Sequence, residues 1–166
     1  MATIRPDVIP VTQHAADLVA DLEPRLRRAL VARYGLDVGC DVAAEAAAWG
    51  LENGDRLLAM ANPAGYLYRV GQSAARRLHR ADRGRVSFPR EHAFADDEAE
   101  GADLPGDVFA ELARLRHEQR VSVLLVHGYR FTYREVADLL DTTEAAVTNH
   151  VHRGLAKLRR RLEGSP

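Results

Sequence analysis

Apolar residues recur every three or four positions through most of the chain, and no stretch alternates with the period of two that marks a strand. The clearest run lies near the C-terminus. Val147, Val151, Leu155, Leu158 and Leu162 fall at steps of four, four, three and four, one stripe of a long helix. Just before it, Val136, Ala137, Leu139 and Leu140 form the apolar face of a shorter helix. Thr132 and Glu135 fit a capping box at its start, with Phe131 placed as a hydrophobic staple. Asp141, Thr142 and Thr143 are turn or cap residues, and Glu144 opens the next helix where the macrodipole favours an acid. Two helices joined by so short a turn form a helix-turn-helix, which places its second helix in the major groove of DNA.

The same periodicity predicts the remaining elements. A first helix runs from about Thr12 to Tyr34, with a possible interruption at Pro24 and a stop at Gly35. An alanine-rich helix follows from Asp41 to about Leu51, with Val42, Ala46 and Trp49 on one side. Asp55 to Met60 fits a short helix. Pro63 suits a first helical position, and Ala64 to Arg80 turns Leu67, Val70, Ala74 and Leu78 inward. Val86 to Asp107 has proline, glycine and acids without periodicity and reads as a linker. A helical pattern returns from Val108 to Val126, and Gly128 ends it. The expected fold is therefore all-α. It has two small helical domains, residues 1–85 and 108–166, joined by an acidic linker over 86–107.

Composition changes this picture in one respect. The net charge of −1 is unusual for a DNA-binding chain, but the charges are segregated. Arg69 to Arg90 holds seven arginines against one acid, and Glu91 to Asp107 holds seven acids and no lysine or arginine. That complementarity suggests a compact form in which the acidic segment lies on the arginine face. The single cysteine, Cys40, excludes an internal disulfide and is expected to behave as a small buried apolar residue. No signal peptide or membrane-length apolar run is visible, so a cytoplasmic location beside the nucleoid is expected, with no membrane partner.

On the second helix, Ala145, Thr148, Asn149 and His152 lie off the apolar stripe near the start, where side chains reach base edges. Arg153, Lys157, Arg159, Arg160 and Arg161 follow and suit phosphates. The alternative is an ordinary amphipathic hairpin with a solvated basic end.

The stretch from Arg120 to Arg161 resembles the promoter −35-binding domain of extracytoplasmic-function sigma factors, members of the sigma-70 family. Glu135-Val136-Ala137, Val147 and His152-Arg153-Gly154-Leu155-Ala156-Lys157-Leu158-Arg159 carry the likeness. Ala146, Thr148, Asn149 and His150 stand where the family usually has Thr, Lys, Ser and Arg. The scaffold is shared and the base-reading face is this chain's own. The resemblance implies −35 contacts from Thr143, Glu144, Ala145, Thr148, Asn149, His152, Arg153 and Lys157.

The first half resembles the family's core-binding and −10-binding domain less closely. Asp41 and Glu45 match the acids of one motif, with Ala44 in place of its Gln. Asn62, Pro63, Tyr66, Leu67, Val70, Gly71 and Ser73 follow a second, with Tyr for Trp and Ser for Asn. The resemblance implies that Asp41 and Glu45 dock on the β′ clamp helices of RNA polymerase core, and that the C-terminal domain meets the β flap. It implies that the loop from Asn53 to Asn62 holds a flipped −10 base, and that Arg76, Arg77 and Arg80 touch −10 backbone. An anti-sigma protein is the expected regulator. Without the resemblance, Asp41 and Glu45 are solvated acids, the arginines a basic face, Trp49 and Tyr66 core residues and Asn62 a turn residue.

His150 and His152 are two apart and point to different sides of a helix, which excludes joint metal binding. No nucleophile elbow, phosphate loop or metal-spaced cluster suggests catalysis or a cofactor. The expected function is promoter recognition for RNA polymerase. The alternatives are a sigma-like regulator that does not engage core, and a nucleic-acid-processing enzyme anchored by the helix-turn-helix.

Overall fold

Glycine decides how the first two helices meet. The computed structural model describes residues 11–81 and 106–163, and all regular structure among them is helical. α1 spans Val11–Tyr34 and α2 spans Leu36–Glu52, with Gly35 alone between them. Gly35 has φ 86°, a left-handed conformation that side chains disfavour; its N–H donates to Val31 O and its carbonyl accepts from Gly39 N. The second helix thus begins five residues earlier than the sequence pattern suggests. Gly39 lowers helix propensity there, but packing overrides it. A Cβ at Gly39 would lie 2.4 Å from Val31 Cα, so the glycine lets the two backbones touch. Pro24 does not interrupt α1. It forfeits one hydrogen bond, to the carbonyl of Ala20, which is exposed and open to water.

α3 (Gly54–Leu58) and α4 (Pro63–Ala81) complete the first body. Val19, Leu26, Leu30, Val42, Ala46, Leu57, Leu67, Tyr68 and Ala74 form its core. Gly71 packs against Leu30, where a Cβ would come within 2.6 Å of a methyl. Leu78, expected inward, is 41% exposed. From Arg76 to Arg80 all of α4 is exposed, so its last turns stand clear of the core. Burial lifts the phenol of Tyr68 to about 12, with nearby Arg33 opposing.

The second body holds α5 (Gly106–Ala113), α6 (His117–Val123), a π-helical turn (Leu124–Gly128), α7 (Tyr133–Leu140) and α8 (Glu144–Glu163). The continuous helix expected from Val108 to Val126 is therefore broken. Arg114 and Leu115 close tight turns onto Glu111 O and Leu112 O, and extended Arg116 restarts the chain as α6. Leu112 at the end of α5 and Leu115 within the break are both buried in the core. Gly106 and Asp107, assigned to the linker, belong to α5. The rest of the acidic stretch, and its expected seat on the arginine face, lie outside the described residues. Cys40 is half-buried rather than enclosed.

The two bodies pack against each other. Arg120 of α6 is 2% exposed, and its guanidinium donates to Ala32 O (3.0 Å) and Arg33 O (2.9 Å) at the C-terminal end of α1. It also donates to Ala113 O (3.2 Å) and lies 2.9 Å from His117 Nδ1. A buried cation is tolerated because each orphan carbonyl at a helix end welcomes a donor and a positive charge.

Candidate nucleic-acid interface

The helix-turn-helix forms as its caps dictate. The Thr132 hydroxyl accepts from Glu135 N (3.2 Å), and the Glu135 carboxylate accepts from Thr132 N (2.8 Å) and from the Thr132 hydroxyl (2.9 Å). Those bonds hold the Glu135 carboxyl below its ordinary value. α7 ends at Asp141, whose φ of 53° is left-handed, a conformation Asp tolerates better than most residues. Thr143 then caps α8, its hydroxyl accepting from Ala146 N at 3.1 Å. Phe131 packs against the core as expected.

α8 turns one face inward and one out. Val147, Val151 and Leu158 are buried, Leu155 is half-buried, and Leu162, expected in the stripe, is 40% exposed where the helix runs past its support. Gly154 is also buried, a position the stripe did not indicate; a Cβ there would stand 2.8 Å from the Val123 side chain. The small residue brings α8 down onto α6. On the outward side Thr143, Glu144, Ala145, Thr148, Asn149, His152 and Arg153 are all exposed. The Thr148 hydroxyl donates to Glu144 O (2.8 Å), leaving its methyl outward for an apolar base contact. Lys157 is half-buried and donates to Gln119 Oε1 (3.1 Å), so it stands at the edge of the face. Arg159 and Arg160 are exposed, whereas Arg161 pairs with Glu111 at 3.4 Å.

In the first body Asp41 is exposed on α2, and Glu45, one turn on, forms an ion pair with Arg77 of α4. A candidate polymerase contact and a candidate DNA contact therefore meet on one surface. Arg76 donates to the Ser73 hydroxyl (3.1 Å), and Arg80 is exposed beyond it. Trp49 and Tyr66 are half-buried rather than core. Their rings lie 4.9 Å apart at 40°, with the Arg56 guanidinium 5.8 and 5.9 Å from the two centroids. Asn62 caps α4, its Oδ1 accepting from Gly65 N at 2.9 Å, and its amide donates to Asp138 O at 2.7 Å. No local pattern signals that last bond, which joins residues 76 apart.

Residues 107–158, from α5 into α8, match the family described as Sigma-70, region 4, in the same stretch that carries the sequence resemblance. No curated protein sequence matches the chain. Among solved structures, the fold is similar to that of the sigma factor RpoE from Bartonella quintana, crystallised in complex with the anti-sigma factor NepR. The TM-score is 0.60 at 18% identity, over 90% of this chain and 97% of that one. The likeness extends the sigma-factor fold across both bodies. No described helix is long and apolar enough to cross a membrane.

Proposed function

We propose that this chain is a sigma factor of the extracytoplasmic-function type, which brings RNA polymerase core to specific promoters. The observation that carries the reading is the outward face of α8. Within a region 4 domain it presents Ala145, Thr148, Asn149, His152 and Arg153 to solvent, types that read base edges and phosphates. In this reading α8 enters the major groove of the −35 element, with Thr143 and Glu144 at its leading end and Lys157 on the backbone. Asn62 takes part in trapping a −10 base, while Arg76, Arg77 and Arg80 track the adjacent backbone. Asp41 and Glu45 dock on the β′ clamp helices, and the second body meets the β flap. Unpairing the −10 bases costs a few kcal/mol, which their capture offsets.

An anti-sigma partner fits this reading, since the structurally similar sigma factor is held by one. Co-migration with purified core polymerase tests the first-body assignment. The wild type is expected to co-elute with core, and a double Asp41→Lys, Glu45→Lys variant is expected to lose it. Unchanged co-elution of the variant would remove those acids from the interface. A second reading has one observation in its favour: Glu45 is already paired with Arg77, and Ala44 stands beside it. A sigma-like regulator that binds DNA alone would show no co-elution at all.

A further inference from the structure

We propose that the cavity where α1, α4 and α6 meet binds a nucleotide-sized organic phosphate, a small ligand with a charged end and a flat apolar body. The cavity holds about 440 Å³, within the range of about 300–1,000 Å³ usual for small-molecule sites. Two kinds of residue line it. Tyr34, Val38, Ala75 and Ala113 supply an aromatic ring and apolar wall, and Arg33, Arg76, His79, His117 and Arg120 supply cations and N–H donors.

No acid is among the described lining residues, and the nearby Glu118 stands 3.8 Å from Arg33. A chain whose net charge is −1 thus gathers basic groups round one concave space, where low-dielectric walls focus their field. Existing bonds explain part of the gathering. Arg120 donates to the carbonyls that end α1 and to Ala113 O. Arg33 Nε donates to the Tyr34 hydroxyl at 3.1 Å, with its guanidinium 5.5 Å from that ring's centroid. Neither task brings Arg76 and His79 of α4 to the same space.

The crowding has an electrostatic cost. Burial first, then Arg33, makes the Arg120 guanidinium a weaker base than usual. Burial, then Arg120 and Arg33, does the same to the His117 imidazole. A bound anion offsets that repulsion. Two negative charges suit this set better than one, which favours a phosphate over a carboxylate.

His117 is already set as a donor. Its Nδ1 lies 2.9 Å from Arg120 Nη2, and a guanidinium has no lone pair to offer. Nδ1 is therefore the acceptor, and the neutral ring carries its proton on Nε2. Arg76, His79 and His117 are exposed, whereas Arg120 is 2% exposed, so the first three stand where a ligand enters and Arg120 acts from within through its charge. The Tyr34 ring and the guanidinium planes suit a flat ring, on which both stack.

Calorimetric titration of the full chain with ADP at physiological salt, beside adenosine and inorganic pyrophosphate, tests the site. One ADP per chain is expected, bound about tenfold or more tighter than either fragment. His79→Glu is expected to weaken ADP by about tenfold, since it turns a donor into a repelling charge. Its helical circular dichroism should be unchanged. Arg159→Glu, on the basic end of α8 and away from the cavity lining, should leave ADP affinity as it is. In proton NMR of the wild type, ADP should shift the ring signals of His79 and His117 and leave those of His14, His150 and His152 in place. Absence of ADP binding would overturn the proposal. So would equal losses in the two variants, or shifts at His150 and His152 instead, which would assign the binding to the basic end of α8. Pyrophosphate binding as tightly as ADP would overturn the nucleotide-sized ligand.

Discussion

At the scale of single residues, the proposed DNA contacts of α8 divide between specificity and adhesion. Asn149 is exposed near the leading end of the helix, where its amide fits adenine, whereas Lys157 has already surrendered part of its freedom to Gln119. Asn149→Ala is expected to change −35 sequence preference, and Lys157→Ala to weaken all duplexes alike, in binding assays over a randomised −35 library. Equal losses on preferred and random DNA for Asn149→Ala would remove it from base reading. Ser122 makes a different point. It is fully buried and its hydroxyl has no hydrogen-bond partner among the described residues. Ser122→Ala removes an uncompensated polar group and should leave stability unchanged or raise it by about 1 kcal/mol in denaturant titration. A loss of that size would mean that the hydroxyl is satisfied by water.

At the scale of elements, small residues set the helix crossings. Gly154 lets α8 lie on α6, so Gly154→Ala should cost about 1–3 kcal/mol through its clash with Val123, seen as a lower midpoint in urea. No loss would mean that Val123 simply turns aside. The same crossings explain what was legible in the sequence. The helix-turn-helix was readable because cap, turn and stripe are local signals, and Thr132, Glu135 and Thr143 all act as their spacing implies. The start of α2 was not, because Gly39 weakens the helix locally and is favoured only once α1 lies against it. The break after α5 was hidden for a similar reason: the apolar period runs on through Leu112 and Leu115, while the turns at Arg114 and Leu115 and the extended Arg116 carry no glycine or proline to mark them. Leu78 and Leu162 kept the period but lie where their helices outrun the neighbours that would bury them. Among site residues, exposure of the α8 face followed from its pattern. The Glu45–Arg77 pair and the bond from Asn62 to α7 depend on tertiary placement and left no local mark.

At the scale of the whole molecule, the junction between bodies is strongly cationic. A cavity of about 440 Å³ there is lined by Arg33 of α1, Arg76 and His79 of α4, and His117 and Arg120 of α6, with Glu118 the nearby acid. Burial first, then Arg120 and Arg33, hold the His117 imidazole below its ordinary value of 6.5, and Glu118 opposes them. The folded value is thus lower than the unfolded one. The contribution is complete above pH 6.5 and is lost as pH falls through the lowered folded value. His117→Gln should blunt any expansion seen by scattering as pH is lowered from 7.5 toward 5.5. An identical pH response in both proteins would place the sensitivity elsewhere.

The proposed role of the helix-turn-helix that matches sigma-70 region 4, on its two-body helical fold, is service to RNA polymerase. Run-off transcription on a fragmented genomic library, with purified core polymerase and with or without this chain, tests it most directly. Chain-dependent transcripts whose upstream sequences share a −35 and a −10 element are expected. Duplex binding without any chain-dependent transcript, and without association with core, would contradict it and leave a DNA-binding regulator in its place.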